Sequence, residues 1–186
     1  MIKADEIFKS FNSKPVLSDL SFNLPSNGFF AITGISGSGK TTLIRLIAGL
    51  EKPDSGTIKV DGQVSVVFQE NRLFSWLNVK ENIILAGNTN TDISNMLKTL
   101  GLESEESKMP SELSGGMQRR VELARALSSD FDILLLDEPF NGLDDDNINN
   151  ITSVLLEIAQ DKAVIIITHD RNYVSKYADK IIEIEN

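Results

Sequence analysis

Cysteine is absent from the 186-residue chain, which removes disulfide frameworks, thiolate zinc sites and cysteine nucleophiles together and fits a reducing compartment. Basic charge is scarce: 18 Lys+Arg stand against 27 Asp+Glu, a formal net charge of −9. A broad basic surface that tracks nucleic acid is therefore disfavoured, local basic patches aside, and no nucleic-acid partner is expected. Long apolar runs are missing as well. The longest, such as 133–136 and 163–167, are strand-sized, far short of the roughly 20 residues of a membrane helix. The opening Met1-Ile2-Lys3-Ala4-Asp5-Glu6 lacks the apolar core of a secretory signal. A soluble chain is expected, with any membrane role arising through a partner. Internal repeats, low-complexity blocks and long Pro/Gly/Ser linkers are not found, which predicts a single domain over 1–186. What remains is the composition of a globular domain with a core, 41% hydrophobic, 24% charged and 6% aromatic.

Strand-like segments fall near 2–8, 18–24, 29–33, 57–60, 64–68, 133–136, 163–168 and 180–184. Helical patterns lie among them. Residues 40–48 are closed by Gly49, and 92–100 carry Ile93, Met96, Leu97 and Leu100 at helical spacing before Gly101. In 115–128, Met117, Val121, Ala124 and Leu127 form one stripe, with Arg119, Arg120, Glu122 and Arg125 expected mostly away from it. Residues 145–160 would bury Ile148, Ile151, Leu155 and Ile158. Continuously apolar strands followed by helices predict a parallel sheet covered on both faces. The opening third differs: 18–24 alternates, and Pro53-Asp54-Ser55-Gly56 and Val60-Asp61-Gly62 are turn chemistry. An antiparallel β piece joined to a parallel α/β core is the simplest arrangement.

Directly after the Phe29-Phe30-Ala31-Ile32-Thr33 strand stands Gly34-Ile35-Ser36-Gly37-Ser38-Gly39-Lys40-Thr41, followed by Thr42, a full P-loop match in its strand–loop–helix setting. Its glycines let successive N–H groups converge on phosphate oxygens, and the following helix adds its positive end. Lys40 can reach β and γ phosphates, and the Thr41 hydroxyl can ligate Mg²⁺. A second element, Ile133-Leu134-Leu135-Leu136-Asp137-Glu138, presents two acids at the carboxyl end of an apolar strand, where open α/β sheets bind ligands. Asp137 would hold Mg²⁺ through its water shell, and Glu138 would orient or deprotonate the attacking water.

The segment Leu113-Ser114-Gly115-Gly116-Met117-Gln118 resembles the signature motif of ATP-binding cassette proteins. Ser114 can cap a helix beginning near Gly115, which leaves glycine N–H groups and the helix dipole as an anion site. A chain with a complete P-loop has no use for a second phosphate site within one copy. The duplication makes sense if two copies meet head to tail, each signature covering the other's γ-phosphate. The resemblance extends through the chain and implies further roles. Gln69 matches the glutamine that contacts the Mg²⁺ and water region, and Asn141-Gly142-Leu143-Asp144 matches the loop that crosses the dimer interface, with Asp144 its acid. His169, the only histidine, matches the switch residue that contacts the γ-phosphate. Phe11 stands where the family has a ring that stacks on adenine, though a Phe in an amphipathic opening strand serves equally as core. Asp145 and Asp146 are read as favouring a helix N-terminus.

By this resemblance the fold is a P-loop NTPase core of mainly parallel sheet covered by helices, with an N-terminal antiparallel β subdomain and a small α-helical subdomain inserted at about 70–116. The implied activity is hydrolysis of ATP to ADP and phosphate, with Mg²⁺ as cofactor. Implied partners are ATP, separately encoded transmembrane permease subunits, and a second copy or a homologous ATPase subunit in a head-to-tail dimer. The implied location is cytoplasmic, peripheral on the inner face of the cell membrane. The spacings from Lys40 to Gln69 and from Gln69 to Ser114 are short for the family, and only a short tail follows His169. Trimmed subdomains without a regulatory extension are therefore expected. The stretch from Gln69 to Val79 is similar to importer cassettes, and Leu73, Phe74, Trp76 and Leu77 either floor a groove for a short helix of a membrane subunit or serve as core. A soluble cassette ATPase energising an assembly or nucleic-acid process is the alternative. A P-loop kinase or GTPase is opposed by the Leu113-Ser114-Gly115-Gly116 motif and by the missing guanine-reading Asn-Lys-x-Asp string.

Overall fold

The structure is a computed structural model that describes residues 1–87 and 92–184. Residues 88–91 of the expected 70–116 subdomain lie outside the described residues. Three antiparallel strands come from the first third of the chain: β1 (Ile2–Phe11), β2 (Lys14–Leu24) and β4 (Ser55–Val60), in the order β2-β1-β4. The two-residue link Asn12-Ser13 has positive φ at both positions, 50° and 64°, which matches the twist a tight hairpin requires. The β1 and β2 strands run past the ends that their alternation suggests, and register shifts interrupt their pairing between Ala4 and Ser10.

The second sheet is parallel, in the order β5-β6-β7-β3-β8, from β3 (Gly28–Thr33), β5 (Val64–Val67), β6 (Ile133–Asp137), β7 (Ala163–Ile167) and β8 (Lys180–Glu183). Its three central strands are buried at nearly every position. Strand side chains alternate between faces, so the same strands feed two cores. Phe29, Ala31, Leu134, Leu136, Val164 and Ile166 pack on one side with Val121, Ala124, Ile151 and Leu155. These last four come from α4 (Gly115–Ser128) and α5 (Asp145–Ile158). Phe30, Ile32, Ile133, Leu135, Ile165 and Ile167 face α1 (Lys40–Ile47) and the antiparallel sheet. Burying each large aliphatic side chain stabilises by roughly 1.5–3 kcal/mol relative to exposure.

Between β5 and α4 lie α2 (Val79–Ile84), α3 (Ile93–Thr99) and a 3₁₀ turn at Pro110–Glu112, and α6 (Arg171–Tyr177) follows β7. Both α2 and α6 escape the periodicity reading because their buried positions, Val79, Asn82 and Ile83 in one and Tyr173 and Val174 in the other, do not make an apolar stripe. The first nevertheless carries a capping box: Glu81 N–H donates to Asn78 Oδ1 at 2.8 Å, and Asn78 N–H donates to the Glu81 carboxylate at 2.9 Å. In α5, Ile151 and Leu155 are buried as expected, while Ile148 and Ile158 are only partly covered. On α4 one expectation is corrected. Arg119 and Glu122 do not face solvent; they are buried, at 8% and 3% exposure, and paired with each other at 3.2 Å. No helix among the described residues is long and apolar enough to cross a membrane.

Candidate nucleotide site

The carboxyl ends of β3, β5, β6 and β7 open together into a cavity of about 510 Å³. It is lined by Gly34, Ser36, Gly37, Gly39, Lys40, Thr41 and Thr42 from the loop and helix after β3, by Gln69 after β5, by Asp137 and Glu138 at the end of β6, and by His169 after β7. Four strand ends thus converge on one site because parallel strands put their carboxyl ends on one edge. Gly39 caps α1 at φ +98°, and a Cβ there would sit 2.8 Å from the Val16 carbonyl oxygen, so the loop admits only glycine at this point. The Lys40 ammonium donates to the Gly34 and Ile35 carbonyls at 2.9 and 2.7 Å, which holds its charge over the loop.

The Thr41 hydroxyl donates to Asp137 Oδ2 at 3.0 Å. Burial pushes the Asp137 carboxyl above its ordinary range and the neighbouring Glu138 charge adds to this, while the Thr41 hydrogen bond and the Arg119 and Lys40 charges oppose it. Glu138 stands at φ +47°, a left-handed backbone that costs about 1–2 kcal/mol for an L-residue. Two restraints hold it: its N–H donates to the Ile167 carbonyl at 2.9 Å, and the Asp137 carbonyl just before it accepts from the Arg119 guanidinium. His169 Nδ1 lies 3.1 and 3.2 Å from the two Glu138 carboxylate oxygens, joining the two groups at the cavity wall.

Other expected residues lie elsewhere. Ser38 is fully buried beneath the loop and Ile35 projects into solvent at 70% exposure. Phe11 stands at the hairpin tip, 42% exposed, with the Lys9 ammonium 5.1 Å from its ring centre; Val16 of the next strand lines the cavity instead. The Leu113–Gln118 segment forms no part of this cavity. Leu113 is core, and Ser114 Oγ accepts from the Met117 N–H at 3.2 Å as the cap of α4. Met117 is partly buried against the core, and Gln118 Nε2 donates to the Pro110 and Leu113 carbonyls. A Cβ on Gly115 would meet nothing within 4 Å, so the space in front of that helix start is open, whereas one on Gly116 would lie 2.7 Å from the Gly142 carbonyl oxygen. Asp144 caps α5, accepting from Asn147 N–H and Nδ2 at 2.9 Å, and these bonds hold its carboxyl below the usual range. Val16, Asn141 and Ile167 also line the cavity; of these only Asn141 sits in a recognisable motif.

The set is therefore a phosphate-sized loop with a lysine, a hydroxyl and carboxylate already in contact, and a strained acid paired with a histidine. A profile of ABC transporters matches residues 17–141, more than half of the chain. The chain belongs to the ABC transporter family. An aliphatic sulfonates import ATP-binding protein of Pseudomonas syringae pv. tomato is 37% identical over 180 residues, spanning 94% of this chain and 78% of the relative. A glutamate transport ATP-binding protein of Corynebacterium efficiens is 31% identical, spanning 98% and 86%. Among solved structures, a dimeric ATP-binding cassette in a post-hydrolysis state bound to ADP and Pi superposes with a TM-score of 0.89 at 28% identity, covering 100% of this chain and 94% of that one. This ABC cassette is an ATP-binding, ATP-hydrolysing subunit.

Proposed function

We propose that the cassette drives an importer-type membrane transporter by hydrolysing Mg·ATP in a head-to-tail dimer, docked on separately encoded permease subunits at the cytoplasmic face of the membrane. The observation that carries the reading is the division of the phosphate chemistry. The P-loop, Asp137, Glu138 and His169 share one cavity, while the open Ser114-Gly115 helix start lies outside its lining.

In this reading the triphosphate lies along the 34–41 loop with its charge met by backbone N–H groups and Lys40. The Thr41 hydroxyl, the Asp137 carboxylate and the Gln69 amide oxygen are hard oxygen donors on one wall, the set that Mg²⁺ selects. Bound there, Mg²⁺ would neutralise charge on the β and γ oxygens. Glu138 accepts the proton of the attacking water, and His169 holds its carboxylate in place. The partner cassette's signature supplies N–H donors to the γ-phosphate, a type of contact whose removal costs about 10²–10³ in rate.

Trp76 is 70% exposed and packs at a tilt on Phe74 with ring centres 5.3 Å apart, and Ile84 and Leu85 are 51% and 62% exposed at the end of α2. Leu73, Phe74 and Leu77 are half-buried beneath. This apolar surface, which follows Gln69 in the sequence, supports a permease contact. The deciding experiment is Glu138→Gln sized in solution: a monomer without nucleotide and a dimer with ATP is expected. A variant that stays monomeric at millimolar ATP, or that turns ATP over at the wild-type rate, would refute the proposal.

A further inference from the structure

The cavity wall does not explain why α4 buries an ion pair. Arg119 is 8% exposed and its guanidinium donates from one nitrogen to the Phe68 carbonyl and from another to the Asp137 carbonyl. These carbonyls belong to neighbouring positions at the ends of two parallel strands, since Val67 pairs with Leu136 in register. The planar fork closes the sheet ladder where the β5–β6 pairing stops, and it does so immediately before Gln69 on one strand and Glu138 on the other. Glu122 fixes the fork through Oε2 at 3.2 Å, and its other oxygen accepts from the Arg72 N–H at 2.5 Å. Asn71 Nδ2 donates to Gln118 Oε1, and Arg125 donates to the Arg72 carbonyl at 2.8 Å. Gln118, Arg119, Glu122 and Arg125 thus grip both ends of the turn that carries Gln69, from the same helix that Ser114 caps.

We infer that Arg119, locked by Glu122, is a positioning residue for hydrolysis: it clamps the carbonyls of Phe68 and Asp137 and so holds Gln69 and Glu138 at the phosphate cavity. This deepens the proposed function and rests on its assignment of Glu138. The strained φ of Glu138 needs restraint on both sides, and Arg119 supplies the one on the preceding peptide. Without it the backbone can relax to an ordinary φ, which swings the carboxylate away from the water it must meet. Nucleotide affinity, which comes from the 34–41 loop, should be spared.

The test uses two variants of the full chain. Arg119→Met/Glu122→Met removes both members of the buried pair together and loses the clamp, and Arg125 and Asp137 each lose one neighbouring charge. Arg119→Lys keeps the charge beside Glu122, but a single ammonium cannot reproduce the fork across two strand ends. In each, kcat for ATP, assayed below the melting transition, is expected to fall on the order of 10- to 100-fold with KM within about twofold of wild type; Tm drops in the double variant, which strands the Phe68 and Asp137 carbonyls and the Arg72 N–H, and drops least in Arg119→Lys. Should the double variant fail to fold, Arg119→Lys decides alone. Wild-type kcat in a folded variant, a raised KM at unchanged kcat, or a kcat loss that merely tracks lost stability would overturn the inference. Glu138→Gln is assayed alongside: its inactivity with fully active Arg119 variants sinks only the clamp, whereas a fully active Glu138→Gln sinks the assignment beneath it.

Discussion

Gly115→Ala separates what the signature helix does for its own chain from what it does for a neighbour. Gly115 is the first residue of α4, outside the left-handed backbone region, and an added methyl meets no atom within 4 Å. Inside the monomer the change therefore creates no clash. Replacing Gly by Ala in a helix interior is worth about 0.5–1 kcal/mol, and a terminal position gives at most that. For a domain of this size such a gain shifts Tm by about 2–4 °C. In the proposed composite site the same methyl would take up open space that a partner's γ-phosphate has to enter, lengthening hydrogen bonds that need to be near 3 Å. Turnover should fall about 10²-fold or more, and Gly115→Ala on the Glu138→Gln background should no longer dimerise with ATP. Gly116 offers no such clean separation, because its methyl would press on the Gly142 backbone at 2.7 Å and unfold the contact as well. Steady-state ATPase assays, circular dichroism melts and sizing measure all three quantities. Normal turnover in Gly115→Ala, or a loss of turnover matched by a lower Tm, would rule out a role for this helix start at a partner's phosphate.

Asn82 is fully buried and ties down the 74–78 turn: its Oδ1 accepts from the Phe74 N–H at 2.8 Å, and its Nδ2 donates to the carbonyls of Phe74, Leu77 and Asn78. Asn82→Ala should cost about 2–4 kcal/mol in urea unfolding by stranding those backbone groups, with a change in the fluorescence of Trp76, the sole tryptophan; a loss under 0.5 kcal/mol would count against the role. Tyr173, buried and hydrogen-bonded to Thr152 at 3.0 Å, has its phenol pushed up to about 12 by burial. The fold favours the neutral phenol, so its stabilisation is intact below pH 10 and declines toward pH 12 as the unfolded phenol ionises first. Relative to Tyr173→Phe, the wild type should lose about 2 kcal/mol between pH 9 and 11.5, and a constant difference across that range would contradict the assignment.

Much of the site was legible because its chemistry is written in consecutive residues. The 34–41 loop sits after an apolar strand, Asp137 and Glu138 end another, and the glycines that admit the turn are visible as glycines. The α4 boundaries follow from Ser114 as cap and the stripe of Met117, Val121 and Ala124. The spent neighbours of the site were not legible, for one physical reason. Reading a helix by its apolar stripe assigns every charged residue to solvent, yet Arg119 and Glu122 are buried because two strand-end carbonyls and one loop N–H need partners. Those partners are backbone atoms, identical in every residue type, so no side-chain pattern announces them. An Arg and a Glu three positions apart on one helix was the available signal. Phe11 shows the same limit from the other side: the opening strand was evident only to about residue 8, and the hairpin that leaves Phe11 at its tip turns on the positive φ of Asn12 and Ser13.

The most informative expectation came from redundancy. A complete phosphate cradle made the Ser114-Gly115-Gly116 helix start superfluous within one chain, and the structure places that start outside the cavity with free space before it. Two bodies of contact then meet across short distances: Gly116 rests on the Gly142 backbone of the loop after Glu138, and the helix it opens grips the turn after Phe68. A phosphate drawn onto the open helix start would therefore load the same helix that fixes Gln69 and Glu138. Hydrolysis would become sensitive to the presence of the second cassette without either acid leaving its own chain. Occupancy of the signature and the geometry of the acid should for that reason be coupled, so Arg119→Lys and Gly115→Ala combined should reduce kcat by less than the product of their separate effects. Simple multiplication of the two losses would show that the helix carries no such link.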